Sequence, residues 1–337
     1  MSIFHIVPGT GDAANGMAAV ARLLAKEQGE AEVVDLKDSL RTLRLCDSAL
    51  KTPSEVWVHG MWLPKEWMAC WRALRTGKRL VRMTHGSLSP LYLKYQSPVK
   101  KWLVGPIERF FLRRCTKIVA TCAAEKEWIE RYLGVKCPPV EVTDIKRFFR
   151  LTDCKIDRLT DCDARDRQSV NPTIRQSVNS PLHILYLGRR HPLKGVEYLE
   201  KAVAELNSNP VNPVNPVQNS SARLTTSALS SSPRLCVRLV SNAYGEELEK
   251  VWDWCDVLVL PTLSENFGLV IAEALERGKR VITTDGAPAW GEGNDYGGRL
   301  VFLKGFRDGT DEVRVGLLKD AIAKLVGMDE QERMHDL

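Results

Sequence analysis

A chain of 337 residues is long enough for two domains of ordinary size, and the cleft between two domains is a natural place for a ligand. Its charged fraction of 27% and hydrophobic fraction of 44% are those of a folded protein, and no apolar run approaches the ~20 residues a membrane-spanning helix needs. The formal net charge of +6 is modest and suits nucleic acid, anionic lipid or a phosphate-bearing ligand alike, so its placement along the chain matters more than its size.

Residues 2–7 are a short run rich in branched apolar residues, followed by Gly9-Thr10-Gly11 and an Ala-rich helical stretch to about Lys26. Ala31–Val34, Val56–Val58, Arg79–Met83 and Ile118–Ala120 read as further short strands, with helical segments such as Trp67–Leu74 between them. This alternation predicts an α/β domain over residues 1–150, with a parallel sheet covered on both faces. Over 151–181 the periodicity stops, and the near-duplicates Arg167-Gln-Ser-Val-Asn and Arg175-Gln-Ser-Val-Asn mark an interdomain linker. A second α/β domain is expected over 182–318. It is interrupted at 207–233 by an Asn-Pro-Val repeat and a Ser/Thr tract, which cannot bury enough apolar surface to offset their ordering entropy and predict an exposed, disordered insertion. A helix is expected over about Val315–Val326, with 319–337 read as a C-terminal helix and tail. Nine scattered cysteines, without a CxxC pair or zinc-like histidine spacing, read as reduced thiols. The first residues lack the parts of a secretory signal, which predicts a cytoplasmic protein.

The stretch from Cys255 to Gly286 carries the most chemistry. It reads as a strand over Val257–Leu260, a loop, a helix from about Gly268 to Arg277 capped by Gly278, and a strand over Val281–Thr284, one crossover unit of a parallel sheet. Ligands bind beyond the carboxyl ends of such strands, which places the loop Thr262–Gly268 and the first helical turn in a site. Free N–H groups at a helix start attract phosphate, and Gly268 permits close approach to the backbone. Glu273 lies in a helix that is apolar nearly all round, where a carboxylate is costly without partners. Two ribose hydroxyls would be such partners; a solvent-facing position or a neighbouring Arg is the other reading.

Glu265-Asn-Phe-Gly-Leu-Val-Ile-Ala-Glu273 resembles the signature of the retaining glycosyltransferases of GT-B fold, family 4: two glutamates separated by seven residues around a Phe-Gly pair. The resemblance implies two Rossmann-like domains facing across a cleft. It also implies a nucleoside diphosphate sugar as donor substrate, with no cofactor and no metal. By it, Glu265 contacts the donor sugar, Asn266, Phe267, Gly268 and Leu269 line the sugar and diphosphate pocket, and Glu273 holds the ribose. Tyr186-Leu-Gly-Arg-Arg-His-Pro-Leu-Lys-Gly195 is similar to the family's strand-end motif, which gives Arg189 and Lys194 the diphosphate. Fixed cations there stabilise the charge that develops on the leaving group.

The first half carries weaker echoes. The loop Gly9 to Gly16, with Gly11, resembles the family loop facing the cleft; Gly16 is assigned to the donor, Gly9 and Gly11 to the acceptor side. Met83-Thr-His-Gly-Ser-Leu-Ser-Pro90 resembles a segment whose His sits at the reacting sugar, which makes His85 a candidate catalytic residue beside Arg189, Lys194 and Glu265. Val58-His-Gly-Met-Trp62 places His59 near the acceptor. For both histidines a purely structural role is the alternative. From Tyr92 to Lys117, basic residues (Lys94, Lys100, Lys101, Arg109, Arg113, Arg114) alternate with aromatic ones. That composition suits an anionic membrane surface at the inner face of the cell membrane, or an ordinary amphipathic helix with a solvated basic face. Members of the family that build lipid-linked glycans imply a glycan or lipid-linked acceptor, a role in polysaccharide or lipopolysaccharide synthesis, and no nucleic acid partner.

Two rival classes remain at this level. Gly9-Thr-Gly11-Asp-Ala-Ala14, with Asp35 near the end of the next strand, imitates the fingerprint of a nicotinamide-dependent oxidoreductase. It explains neither the glutamate pair nor Arg189 and Lys194. A non-catalytic binding protein using the basic stretch leaves Glu273 unexplained.

Overall fold

The computed structural model describes residues 2–10, 16–38, 53–151, 181–208, 218–219, 235–241, 243–291 and 295–335. They fall into two units: Met1–Phe148 with Ser264–Leu269, and Phe149–Leu263 with Val270–Leu337. The expected linker therefore lies almost wholly outside the described residues, as do Gly11 and most of the insertion at 207–233.

Unit 1 is a six-stranded, all-parallel sheet built from β1 (Ile3–Val7), β2 (Ala31–Asp35), β3 (Glu55–His59), β4 (Arg79–Met83), β5 (Lys117–Ala120) and β6 (Val140–Val142), in the order β2-β1-β3-β4-β5-β6. Helices α1 (Gly16–Gln28), α2 (Pro64–Arg75), α3 (Pro90–Tyr95), α4 (Gly105–Leu112) and α5 (Ala123–Leu133) lie between the strands in sequence. Strand alternation sorts the side chains. Ile6, Val56, Val58, Leu80 and Ile118 pack with Ala69 and Cys70 of α2, Leu112 of α4 and Ile129 of α5. Val7 packs instead with Ala18 and Ala21 of α1. His5, in step with Val7 along β1, is buried and bonded to Gln28 of α1. Under α2, Arg82 and Glu108 form a fully buried ion pair at 3.4 Å. Arg82 also donates to the Gly60 carbonyl at 2.7 Å, and Glu108 accepts from the Trp62 backbone N–H at 2.5 Å and from Trp67 Nε1 at 2.8 Å. These extra bonds are what makes a buried pair tolerable, and they fix the turn after β3.

Unit 2 repeats the plan with β7 (Leu182–Leu187), β8 (Gln218–Asn219), β9 (Leu235–Val240), β10 (Val257–Leu260), β11 (Arg280–Thr284) and β12 (Leu300–Leu303), in the order β12-β11-β10-β7-β9-β8, all parallel. Its helices are α6 (Val196–Ser208), α7 (Glu246–Trp254), α8 (Leu269–Glu276) and α9 (Asp311–His335). In both sheets the chain runs outward from a central strand and then crosses back. The reversals fall at β1/β3 and at β7/β10, and in sheets of this kind ligands bind at such a point, beyond the carboxyl ends of the strands.

Two expectations are corrected. The insertion contributes Gln218–Asn219 as a short parallel edge strand on β9, so it is not wholly an exposed loop. The last helix runs from Asp311 to His335, so a boundary at 318/319 falls inside one continuous element, which Lys319–Glu205 (2.7 Å) and Arg314–Tyr198 (2.9 Å) tie to α6. Among the described residues no helix is long and apolar enough to cross a membrane.

Candidate functional site

At the β7/β10 reversal the loops of unit 2 are knitted together. The Pro192–Lys194 turn after β7 meets the loop after β10: Leu263 N–H donates to the Leu193 carbonyl at 2.8 Å, and the Thr262 hydroxyl to the same oxygen at 3.0 Å. Gly195 is required here twice over. Its φ is +62°, and a Cβ would lie 2.1 Å from the Pro261 carbonyl oxygen. From the other side Gly286, after β11, lets the Thr262 carbonyl approach, where a Cβ would stand 2.0 Å from that oxygen, and the Thr284 hydroxyl also bonds it. The structure thus brings the two sequence motifs of this half, Arg189–Gly195 and the start of the glutamate loop, onto one rim. Arg189 is exposed, and its guanidinium bonds no described residue; Arg190 pairs with Glu200 instead. Lys194 is partly buried at the end of its turn.

Glu273 sits one turn into α8, half-buried, between the buried Ala272 and Ala274. Its carboxylate makes no hydrogen bond or salt bridge with any described residue. Arg277, the natural partner at i+4, points its guanidinium to Glu249 at 2.8 Å. Burial raises the Glu273 pKa, and the Arg277 charge only partly opposes this. The arginine-paired alternative for this residue is therefore not what the side chains do.

Glu265, Asn266, Phe267, Gly268 and Leu269 cluster with unit 1. Phe267 is buried, Gly268 has φ +72°, and the Asn266 backbone N–H turns back to Glu265 Oε1 at 3.2 Å. Within unit 1, Asn266 lies against the His85–Gly86 turn: a Cβ on Gly86, where φ is +72°, would come within 3.1 Å of the Asn266 Cβ. Ser264 and Ser89 hydroxyls stand 3.0 Å apart, and Gly16, at the start of α1, faces Leu269.

The His85 turn is held by a residue that the sequence did not single out. Glu125 is buried in the first turn of α5 and accepts from the Thr84 hydroxyl at 2.7 Å, the Gly86 N–H at 2.6 Å and the Thr121 N–H at 2.8 Å. A glutamate at the third position of a helix reads in sequence as an ordinary capping residue, so no local signal marks it. His85 itself adopts φ +49° and is partly exposed. Its Nε2 lies 2.8 Å from His59 Nδ1, His59 Nε2 lies 2.9 Å from His5 Nδ1, and His5 Nε2 lies 2.7 Å from Gln28 Oε1. Burial lowers the pKa of all three imidazoles, His85 to about 3 and His59 well below the usual value, so each is neutral near pH 7. His59 is fully buried with both ring nitrogens engaged. Its ring nitrogens bond His5 and His85, and its ring stacks with Trp57 at 6.5 Å between centroids.

Gly9 has φ +72° in the turn after β1, and Asp35, at the end of β2, is occupied there. One carboxylate oxygen accepts from the Thr10 N–H at 2.7 Å and hydroxyl at 3.0 Å, the other from the Lys37 N–H at 2.8 Å. A carboxylate that ties down its own loop is poorly placed to hold the ribose of a dinucleotide, which removes the main support of the oxidoreductase reading.

A family model described as "Glycosyl transferases group 1" matches residues 170–294, and one described as "Glycosyl transferase 4-like domain" matches residues 8–144, together more than half of the chain. No curated protein matches the chain at a significant level. Solved structures of similar fold include a sucrose-phosphate synthase from Thermosynechococcus elongatus, at 14% identity and TM-score 0.54 over 100% of both chains. A UDP-forming α,α-trehalose-phosphate synthase from Burkholderia xenovorans, in complex with glucose-6-phosphate, aligns at 10% identity and TM-score 0.59 over 97% of this chain and 92% of that one. The Anabaena protein HepE in complex with UDP aligns at 13% identity and TM-score 0.52 over 100% and 99%. With two Rossmann-like units, a matching family model on each and neighbours of the same fold, the chain belongs to the group 1 glycosyltransferases of GT-B fold.

Proposed function

We propose that this glycosyltransferase takes a hexose-type sugar from a nucleoside diphosphate sugar and transfers it, with retention, to a glycan or lipid-linked acceptor in the synthesis of cell-surface polysaccharide or lipopolysaccharide. The observation that carries the donor assignment is the half-buried Glu273 carboxylate, which bonds no described residue and lies on the helix that follows β10. Ribose hydroxyls complete it, Arg189 and Lys194 take the diphosphate, and Glu265 with the backbone of Phe267 to Leu269 takes the sugar, which His85 also contacts. Two structures of similar fold are described as UDP-forming or UDP-bound, so a uridine donor is the first to try. In the transfer, the bond from the anomeric carbon to the diphosphate oxygen breaks as the bond to the acceptor oxygen forms on the same face. The acceptor proton passes to the departing diphosphate, whose charge Arg189 and Lys194 offset; no residue need act as nucleophile and no metal is invoked.

The acceptor side draws on the surface of α3, α4 and the π-helical turn Lys100–Val104 between them. Tyr95, Val99, Trp102, Leu103 and Phe110 are exposed there, Trp102 by 82%, beside exposed Lys100, Lys101, Arg113 and Arg114. Large apolar groups ringed by cations fit an anionic lipid surface carrying the acceptor. The test is a donor screen by mass spectrometry, offering UDP-, GDP- and ADP-sugars with lipid-linked and soluble acceptors. Glycosylated product from a lipid-linked acceptor supports the proposal; turnover of none of the donors sinks it.

A further inference from the structure

Three of the six histidines form one hydrogen-bonded row in unit 1, and the row has a direction. It starts at α1, where Gln28 Oε1 lies 2.7 Å from His5 Nε2. An amide oxygen only accepts, so His5 carries its proton on Nε2 and leaves Nδ1 bare. His59 Nε2, 2.9 Å from that bare nitrogen, must therefore be the N–H. His59 Nδ1 is then bare in turn, and His85 Nε2, 2.8 Å away, must carry the next proton. Each contact holds one proton, and three neutral rings supply three protons, so the row is filled without a clash or a vacancy. Desolvation, complete at His5 and His59 and less complete at His85, lowers the pKa of all three imidazoles and keeps them in this neutral state. The remaining nitrogen is His85 Nδ1, which bonds no described residue, is not among the buried unpaired atoms, and belongs to a partly exposed side chain.

We propose that Gln28, acting through His5 and His59, locks His85 in its Nε2–H tautomer, so that Nδ1 meets the bound sugar solely as a hydrogen-bond acceptor. The second half rests on the placement of His85 at the sugar; the lock itself does not. A bare Nδ1 accepts from a hydroxyl and gains nothing from an ether oxygen or a fluorine, so the row selects for a free hydroxyl where His85 reaches the sugar. The far end of the row is an amide, which takes up no proton at neutral pH. The row therefore orients His85 and does not conduct protons away from it, and Gln28, His5 and His59 are positioning residues.

The experiment is two-bond 15N–1H correlation spectroscopy of the full chain labelled at histidine, with His85 assigned by its loss in His85→Asn. The lock predicts one His85 species near pH 7, with Nε2 protonated and Nδ1 bare. Gln28→Leu removes the acceptor and is expected to abolish the single tautomer, giving averaged nitrogen shifts, while Gln28→Glu keeps an accepting oxygen and restores it. A proton on His85 Nδ1 in the unmodified protein would mean that the Gln28 amide faces the other way and overturns the proposal. An unchanged single tautomer in folded Gln28→Leu overturns it as well. Should Gln28→Leu not fold, the spectrum of the unmodified protein decides alone. No ligand is needed, so the lock is judged separately from the sugar-nucleotide reading.

Discussion

Charge builds on a departing diphosphate as the glycosidic bond breaks, so a cation beside it contributes more to the transition state than to binding, which is the role proposed for Lys194 at the end of the turn after β7. Lys194→Ala is therefore expected to lower kcat by more than it raises the donor KM, with an overall loss of ~10²-fold or more in kcat/KM. Steady-state kinetics with the donor found in the screen checks this. Full turnover in the variant would move the diphosphate elsewhere. Glu66 makes a different kind of prediction. Burial pushes its pKa up to about 7 against the opposing charge of Arg82, from an ordinary value of 4.5. The folded state then holds this proton more tightly than the unfolded chain, so stability is full below pH 4.5 and declines as pH rises through 7, by up to ~3 kcal/mol. Glu66→Gln is expected to flatten that decline in urea titrations at pH 5 and pH 8. An identical slope in the variant would show that Arg82 keeps Glu66 ionised throughout.

Between elements, loops grip one another through glycine. Gly195→Ala places a Cβ against the Pro261 carbonyl oxygen at a positive φ, and a loss of more than ~2 kcal/mol is expected in chemical denaturation. Gly298→Ala shares the positive φ but meets open space, so it isolates the backbone cost and is expected to lose less. Equal losses in the two would mean that the Pro261 contact is not tight. The strands were legible where a short apolar run coincided with burial: Arg79–Met83 and Val257–Leu260 form with the bounds that the sequence implied. Gly278 ends α8 with φ +72° and N–H bonds from Gly278 to Leu275 and from Lys279 to Ala274. Gln218–Asn219 was not legible, because a two-residue polar edge strand has no period. The break between α3 and α4 was hidden too, since Trp102 and Leu103 point outward where an apolar residue suggests a core. At the site, the order of Glu265, Glu273, Arg189 and Lys194 along the chain carried the family resemblance. Glu125 and Gln28 act on residues 39 and 23 positions away, which no local spacing encodes. His5 did leave a trace, as a polar residue on the buried face of an otherwise apolar strand.

For the molecule as a whole, two proposed surfaces matter: the basic and aromatic face over α3 and α4, proposed to meet lipid, and the proposed nucleotide site. Reversing Lys100, Lys101, Arg113 and Arg114 to Glu is expected to abolish sedimentation with anionic vesicles while leaving nucleotide affinity unchanged, because each basic residue near such a surface contributes about 1 kcal/mol. Sedimentation that survives the reversal removes the membrane from the account. The central claim is that Glu273 receives a ribose. It is tested by calorimetry of UDP, GDP and ADP, each against its 2′,3′-dideoxy counterpart, with the unmodified protein and with Glu273→Gln. Bonds to a charged acceptor contribute ~1.5–3 kcal/mol, so removing either the hydroxyls or the charge should weaken the preferred nucleotide by about 10- to 100-fold. Removing both should cost little more than removing one, because the two changes delete the same interaction. Losses that simply add, or a dideoxy nucleotide that binds the unmodified protein as tightly as its parent, would contradict the assignment of Glu273 to the ribose and with it the donor site.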